Sequence, residues 1–147
     1  MNGAAKGETP ADGGMGGTAS NGGAVKAPGT LASGALRVQH HLLLCATPSK
    51  PLCVDPAVGA ASWDRLKRLV RELGLEDPSR VEGVVWRTKA DCLRICGGGP
   101  ILLIWPEGIT YGGVTPERIE RILLEHVIGG QPVSEWIVQR ASFDGAP

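Results

Sequence analysis

In "LRVQHHLLLC", residues 36–45, Leu36, Val38, His40, Leu42 and Leu44 fall on one side of an extended chain, and the stretch ends apolar. That pattern predicts a largely buried strand delivering Cys45 at its C-terminal end. Pro48, Pro51, Pro56 and Gly59 then break any regular period and predict a loop around Cys53. From Ser62 the period becomes helical: Trp63, Leu66, Val70 and Leu73 share a face, Ser62 fits an N-cap, Asp64 suits the first turn, and Gly74 is a stop signal. A helix is predicted over residues 62–73.

"RVEGVVWRT", residues 80–88, predicts a second short strand, and strand, helix, strand in that order implies a right-handed parallel crossover. In "PILLIWPEGITYGG", residues 100–113, two strand-like runs meet at Pro106, Glu107 and Gly108, which is a hairpin signal. Thr115, Pro116 and Glu117 fit N-cap, N1 and N2 of a last helix, whose Ile119, Ile122, Leu123, His126 and Val127 share a face until Gly129 and Gly130. The predicted order is β-α-β-β-β-α. It describes an α/β fold, a small mixed sheet with packed helices, close to the thioredoxin-like plan. Residues 131–143, with Trp136, Ile137 and Val138, are expected to lie back on the domain surface as an apolar extension.

Composition divides the chain in two. All six aromatic residues lie beyond position 62, while residues 1–36 hold ten of the 22 glycines and no aromatic. Such a leader buries too little apolar surface to offset its ordering entropy, so residues 1–36 are expected to be disordered and residues 37–143 to form one domain. The leader lacks the basic start and apolar run of a secretory signal, and no apolar stretch is long enough for a membrane helix, so a cytoplasmic protein without a membrane partner is expected. With 15 basic and 15 acidic side chains, no nucleic-acid partner is indicated.

That compartment bears on the four cysteines, Cys45, Cys53, Cys92 and Cys96, spaced C-x7-C-x38-C-x3-C. In a β-α-β unit the loops that follow parallel strands lie on one sheet edge, so the four sulfurs can converge. Disulfides fit a reducing compartment poorly. Structural zinc usually takes its thiolates from short C-x2-4-C knuckles, a description that suits the second pair and not the first. Thioredoxin-type dithiol chemistry needs C-x-x-C, which is absent. An iron–sulfur cluster suits a glycine-rich loop such as "CGGGP", whose amides can approach the sulfurs, although the spacing matches neither the bacterial two-cluster nor the plant-type run.

The stretch from Leu42 to about Gly130 resembles the thioredoxin-like [2Fe-2S] ferredoxins, bacterial stand-alone relatives of the thioredoxin-like iron–sulfur subunit of respiratory complex I. The resemblance is carried by Cys45 at a strand end, a variable loop to Cys53, "CLRIC", and "GGGPILLIWPEGITY". It implies that Cys45, Cys53, Cys92 and Cys96 ligate a [2Fe-2S] cluster, that the protein carries one electron between donor and acceptor proteins and is not an enzyme, and that a homodimer can form. Two other readings stay open at this point: an interaction module in which the four cysteines hold a stabilising zinc, and an accessory subunit of a larger redox complex. Arg87, Lys89 and Arg94 surround the later cysteines, either as a solvated loop or as charges offsetting a cluster. Trp63 and Trp105 read as core residues, and His126 as a packed or half-exposed residue and not a ligand. Pro100 stands where thioredoxin-like folds carry a cis proline.

Overall fold

The structure, a computed structural model, describes residues 34–49, 54–95 and 97–145. The expected leader, apart from its last three residues, lies outside the described residues, as do Cys53 and Cys96.

Strand β1, Val38–Cys45, alternates as its sequence demands: His40, Leu42 and Leu44 are buried, with partly buried residues between them. The pattern begins later than expected, since Leu36 and Val38 remain exposed. Helix α1 spans Pro56–Glu72 and so begins six residues before the predicted start. Pro56 occupies the first turn, where its missing N–H costs nothing, and the true N-cap is Asp55, whose carboxylate accepts from the Ala57 N–H at 2.8 Å. Ser62 is therefore an interior helix residue. It is fully buried, and its hydroxyl donates to the Val114 carbonyl at 2.8 Å, tying α1 to the entry of the second helix. Gly59 lies where α1 passes the end of β1, and a Cβ there would strike the Ala46 carbonyl.

Strand β2, Val84–Ala90, also begins later than expected, because residues 77–83 turn on themselves: Arg80 N–H donates to the Asp77 carbonyl and Gly83 N–H to that of Arg80. Strands β3, Ile101–Trp105, and β4, Ile109–Tyr111, form the expected hairpin. The Gly99–Pro100 and Trp105–Pro106 bonds are cis, an isomer that the sequence had left open at Pro100. Helix α2, Pro116–Ile122, starts at Thr115 as predicted and widens into a π-helical turn, Leu123–Ile128.

The segment expected as an apolar extension instead supplies a further strand. Strand β5, Ile137–Arg140, follows a single 3-10 turn and pairs antiparallel with β4. The order along the sheet is β2-β1-β3-β4-β5, with β1 and β2 parallel and every other pair antiparallel. The predicted β-α-β-β-β-α order holds and lacks only this edge strand.

The core lies between the sheet and the helices. Leu42, Leu44, Leu102 and Ile104 from the sheet meet Leu66 and Val70 of α1 and Ile119, Ile122, Leu123 and Val127 of the second helical segment. Each such side chain stabilises by about 1.5–3 kcal/mol on leaving water. Trp63 is partly buried against this core, as expected, and Trp105 is partly buried with its ring stacked on Phe143. One polar network enters the core: buried Tyr111 hydroxyl accepts from the Val133 N–H at 3.0 Å and pairs with His126 Nδ1 at 2.9 Å. Burial pushes the His126 imidazole below the ordinary histidine value and the Tyr111 phenol above its own. His126 is thus fully packed, where its sequence position left packed and half-exposed both open. Among the described residues no helix is long and apolar enough to cross a membrane.

Candidate metal centre

Parallel pairing brings the first and third cysteines to one end of the sheet. Cys45 is the last residue of β1 and registers against Ala90, the last residue of β2, so Cys92 follows two positions beyond that shared edge. Cys45 is fully buried, with its Sγ 3.4 Å from the Asp91 carbonyl oxygen, toward which the thiol donates. Cys92 is exposed and accepts the Arg94 N–H at its Sγ, at 3.3 Å.

The loops that carry these sulfurs are fastened together. Ser49, in the loop between Cys45 and Cys53, donates both its backbone N–H and its hydroxyl to Asp91 Oδ1, at 2.6 and 2.9 Å. Asp91 therefore meets the first loop through its carboxylate and the Cys45 thiol through its carbonyl. Sequence reasoning missed both Ser49 and Asp91. The signal was present in the aspartate immediately before a loop cysteine, since short carboxylates habitually bind backbone and hydroxyl donors in turns.

Beyond Cys92 the backbone is left-handed at three places: Arg94 at φ 65°, Gly97 at 90° and Gly98 at 70°. Glycine takes that conformation without steric penalty, whereas Arg94 does so at a cost of roughly 1–2 kcal/mol. The conformation at Arg94 accompanies the aiming of its N–H at the Cys92 sulfur. A Cβ added at Gly97 or Gly98 would meet nothing within 4 Å, so these glycines serve the turn and leave open space beside the loop.

The charges expected around the later cysteines divide between two roles. Arg87 lies 3.6 Å from Glu76 and places its guanidinium over the Trp63 ring at 5.6 Å, so its charge is committed to the flank of β2. Lys89 and Arg94 are exposed. Of the four expected ligands, then, Cys45 and Cys92 stand at one sheet edge, and Cys53 and Cys96 fall outside the described residues.

These features suit a thiolate-bound metal group in three respects: a buried sulfur at a strand end, an amide N–H directed at a second sulfur, and an open loop of glycines beside it.

No family model matches the chain. A 2Fe-2S ferredoxin of Clostridium pasteurianum is 43% identical over 100 residues, which cover 65% of this chain and 91% of that protein. A 2Fe-2S ferredoxin of Aquifex aeolicus is 33% identical over 58 residues; the match spans 40% of this chain and about half, 52%, of that relative's length. Among solved structures, a thioredoxin-like [2Fe-2S] ferredoxin from Aquifex aeolicus superposes with a TM-score of 0.59 at 20% identity, over 76% of this chain and 100% of that one, a likeness of fold. Identity of 43% across nearly the whole Clostridium protein, joined to this fold, places the chain in the thioredoxin-like [2Fe-2S] ferredoxin family.

Proposed function

We propose that the protein is a one-electron carrier, not an enzyme, that holds a [2Fe-2S] cluster on Cys45, Cys53, Cys92 and Cys96 and exchanges electrons with separate donor and acceptor proteins. The observation that carries this reading is the fastening of the two cysteine loops through Ser49 and Asp91 at the shared end of β1 and β2. Two loops held in register can present thiolates from both sides to one group. Family membership supports the choice of group, since the relatives in question are 2Fe-2S ferredoxins.

Such a group, when bound, lets the protein take up and release one electron at thiolate-ligated iron. The chain contributes the rest. Its amides, with Arg94 N–H foremost, offset negative charge on the sulfurs, and the burial of Cys45 keeps water from one side of the site. Four thiolates and two sulfides against two ferric ions leave a net charge of minus two, so nearby N–H dipoles and an exposed Arg94 stabilise the site and favour reduction.

Anaerobically purified protein should contain two iron and two acid-labile sulfide per chain, and each single cysteine-to-serine variant should bleach or destabilise the chromophore. A colourless preparation with one zinc and no labile sulfide would sink the proposal in favour of a zinc-stabilised interaction module.

A further inference from the structure

At the other end of β1, away from the cysteines, a second set of metal-binding side chains converges. His40 lies five positions before Cys45 on the strand, a separation of roughly 16 Å at about 3.3 Å per residue. Its Nε2 is 2.8 Å from Glu107 Oε1, and His126 Nε2 is 3.6 Å from the same oxygen. One donor atom from each of the three residues lies within 4.8 Å of the other two, and they form the only such group of three among the described residues. From these relationships we propose that His40, Glu107 and His126 form a binding site for a divalent transition-metal ion of the zinc class, separate from the cysteine loops.

An ordinary ion pair between His40 and Glu107 leaves part of this arrangement unexplained. His126 is 1% exposed, yet its Nε2 has no hydrogen-bond partner and points toward Glu107 from beyond hydrogen-bond range. A buried polar nitrogen left unpaired is costly, and few proteins keep one without a use for it. An ion between the three groups would partner this nitrogen and the Glu107 carboxylate together. It would not account for His40 Nδ1, the other unpartnered ring nitrogen at the site.

The donor set is suited to zinc, which binds two imidazoles and one carboxylate and leaves a fourth position for water. Ligand atoms about 2.0–2.1 Å from a tetrahedral zinc stand roughly 3.3 Å apart, between the two distances observed here. His126 also has the outer partner that metal-bound imidazoles require: its Nδ1 meets the Tyr111 hydroxyl at 2.9 Å, and that hydroxyl is fixed by the Val133 N–H. With Nδ1–H donating to Tyr111, the Nε2 lone pair faces the site. The three ligands come from separate elements, namely β1, the β3–β4 turn and the π-helical turn, and such turns recur at functional sites. The β3–β4 turn is held in place where Ala141 N–H donates to the Gly108 carbonyl at 2.8 Å. Glu107, whose side chain is 37% exposed, is the route to solvent, so an ion can enter without unfolding the core.

The test uses the full chain with its cysteine site loaded, washed with a mild chelator, titrated with Zn2+, and measured by metal analysis and zinc K-edge absorption. The expected result is one retained zinc per chain with nitrogen and oxygen neighbours and no sulfur. Glu107→Gln and His40→Gln should each weaken zinc binding at least tenfold. Glu107 sits in a half-exposed turn, so its variant also guards against loss of fold. Zinc that is not retained, that shows sulfur neighbours only, or that binds unchanged in both variants overturns the proposal. Iron, labile sulfide and the visible spectrum of the same samples report on the cysteine site, so failure there is seen separately.

Discussion

Ser49 and Asp91 lock the loop after β1 to the loop after β2, with one carboxylate oxygen receiving two donors from the same serine. Neither residue carries a sulfur, yet together they set how far apart the sulfur-bearing loops can move. Hydrogen bonds to a charged acceptor contribute about 1.5–3 kcal/mol when sheltered, and both residues are exposed, so the lower end or less applies. Asp91→Ala should leave the melting temperature within a few degrees of the parent but speed loss of visible absorbance under chelator about fivefold, as expected for ~1 kcal/mol. Asp91→Asn keeps an acceptor oxygen and should restore most of the difference. An Asp91→Ala protein that bleaches at the parent rate would show that the loops are held elsewhere.

Gly59→Ala sets two effects against each other. Alanine favours an interior helical position by about 1 kcal/mol over glycine. Here its Cβ would strike the backbone carbonyl of Ala46, which is fully buried beside Cys45 and cannot move as a flexible side chain could. Overpacking of this kind costs typically 1–3 kcal/mol, so the sum is a net loss. Urea denaturation should give a lower midpoint with an unchanged slope, whereas a stabilised variant would mean that α1 and the end of β1 are farther apart than they stand here.

Much of this was legible in the sequence, and the failures have physical causes. The alternation of His40, Leu42 and Leu44 identified β1 because one face of that strand is buried and the other is not. The start of α1 was missed because Pro56 looks like a breaker, whereas proline in a first turn sacrifices no hydrogen bond. Strand β5 was missed because an edge strand exposes three of its four residues, so pairing with β4 and not its own pattern decides its conformation. At the site, Cys45 was legible as a strand end. The Ser49–Asp91 tie was not, because it depends on two loops that meet only once β1 and β2 have paired.

Arg94 tests the electrostatics of the cysteine loop. Its N–H, not its side chain, touches the Cys92 sulfur, and the guanidinium is exposed. Replacing it with glutamine keeps the amide contact and removes only a solvated charge. At a separation of ~8 Å with water-like screening, one charge is worth about 0.5 kcal/mol, or on the order of 20 mV for a one-electron couple. Arg94→Gln should therefore lower the midpoint potential by about that amount in protein-film voltammetry, with the shift shrinking as salt is raised. A rise in potential, or a shift indifferent to salt, would contradict it.

Tyr111 offers the sharpest test of how the polar network holds the second helical segment. Its hydroxyl meets both the Val133 N–H and His126 Nδ1, and the residue is fully buried. Tyr111→Phe keeps the ring in the core and removes one oxygen, so the apolar burial is almost unchanged. What remains is two buried polar groups that have lost this partner, each costing roughly 1–3 kcal/mol less whatever water can recover. A loss of about 2–3 kcal/mol is expected, large beside the roughly 5–15 kcal/mol of a typical domain. Because Val133 leads into the 3-10 turn and β5, hydrogen exchange should quicken first across residues 133–140 while β1 stays protected. The contrast is informative because Gly59→Ala acts where α1 passes the end of β1, two strands across the sheet from Tyr111. Its exchange should quicken around Ala46 and α1, and a matching pattern in the two variants would show that the domain opens only as a whole.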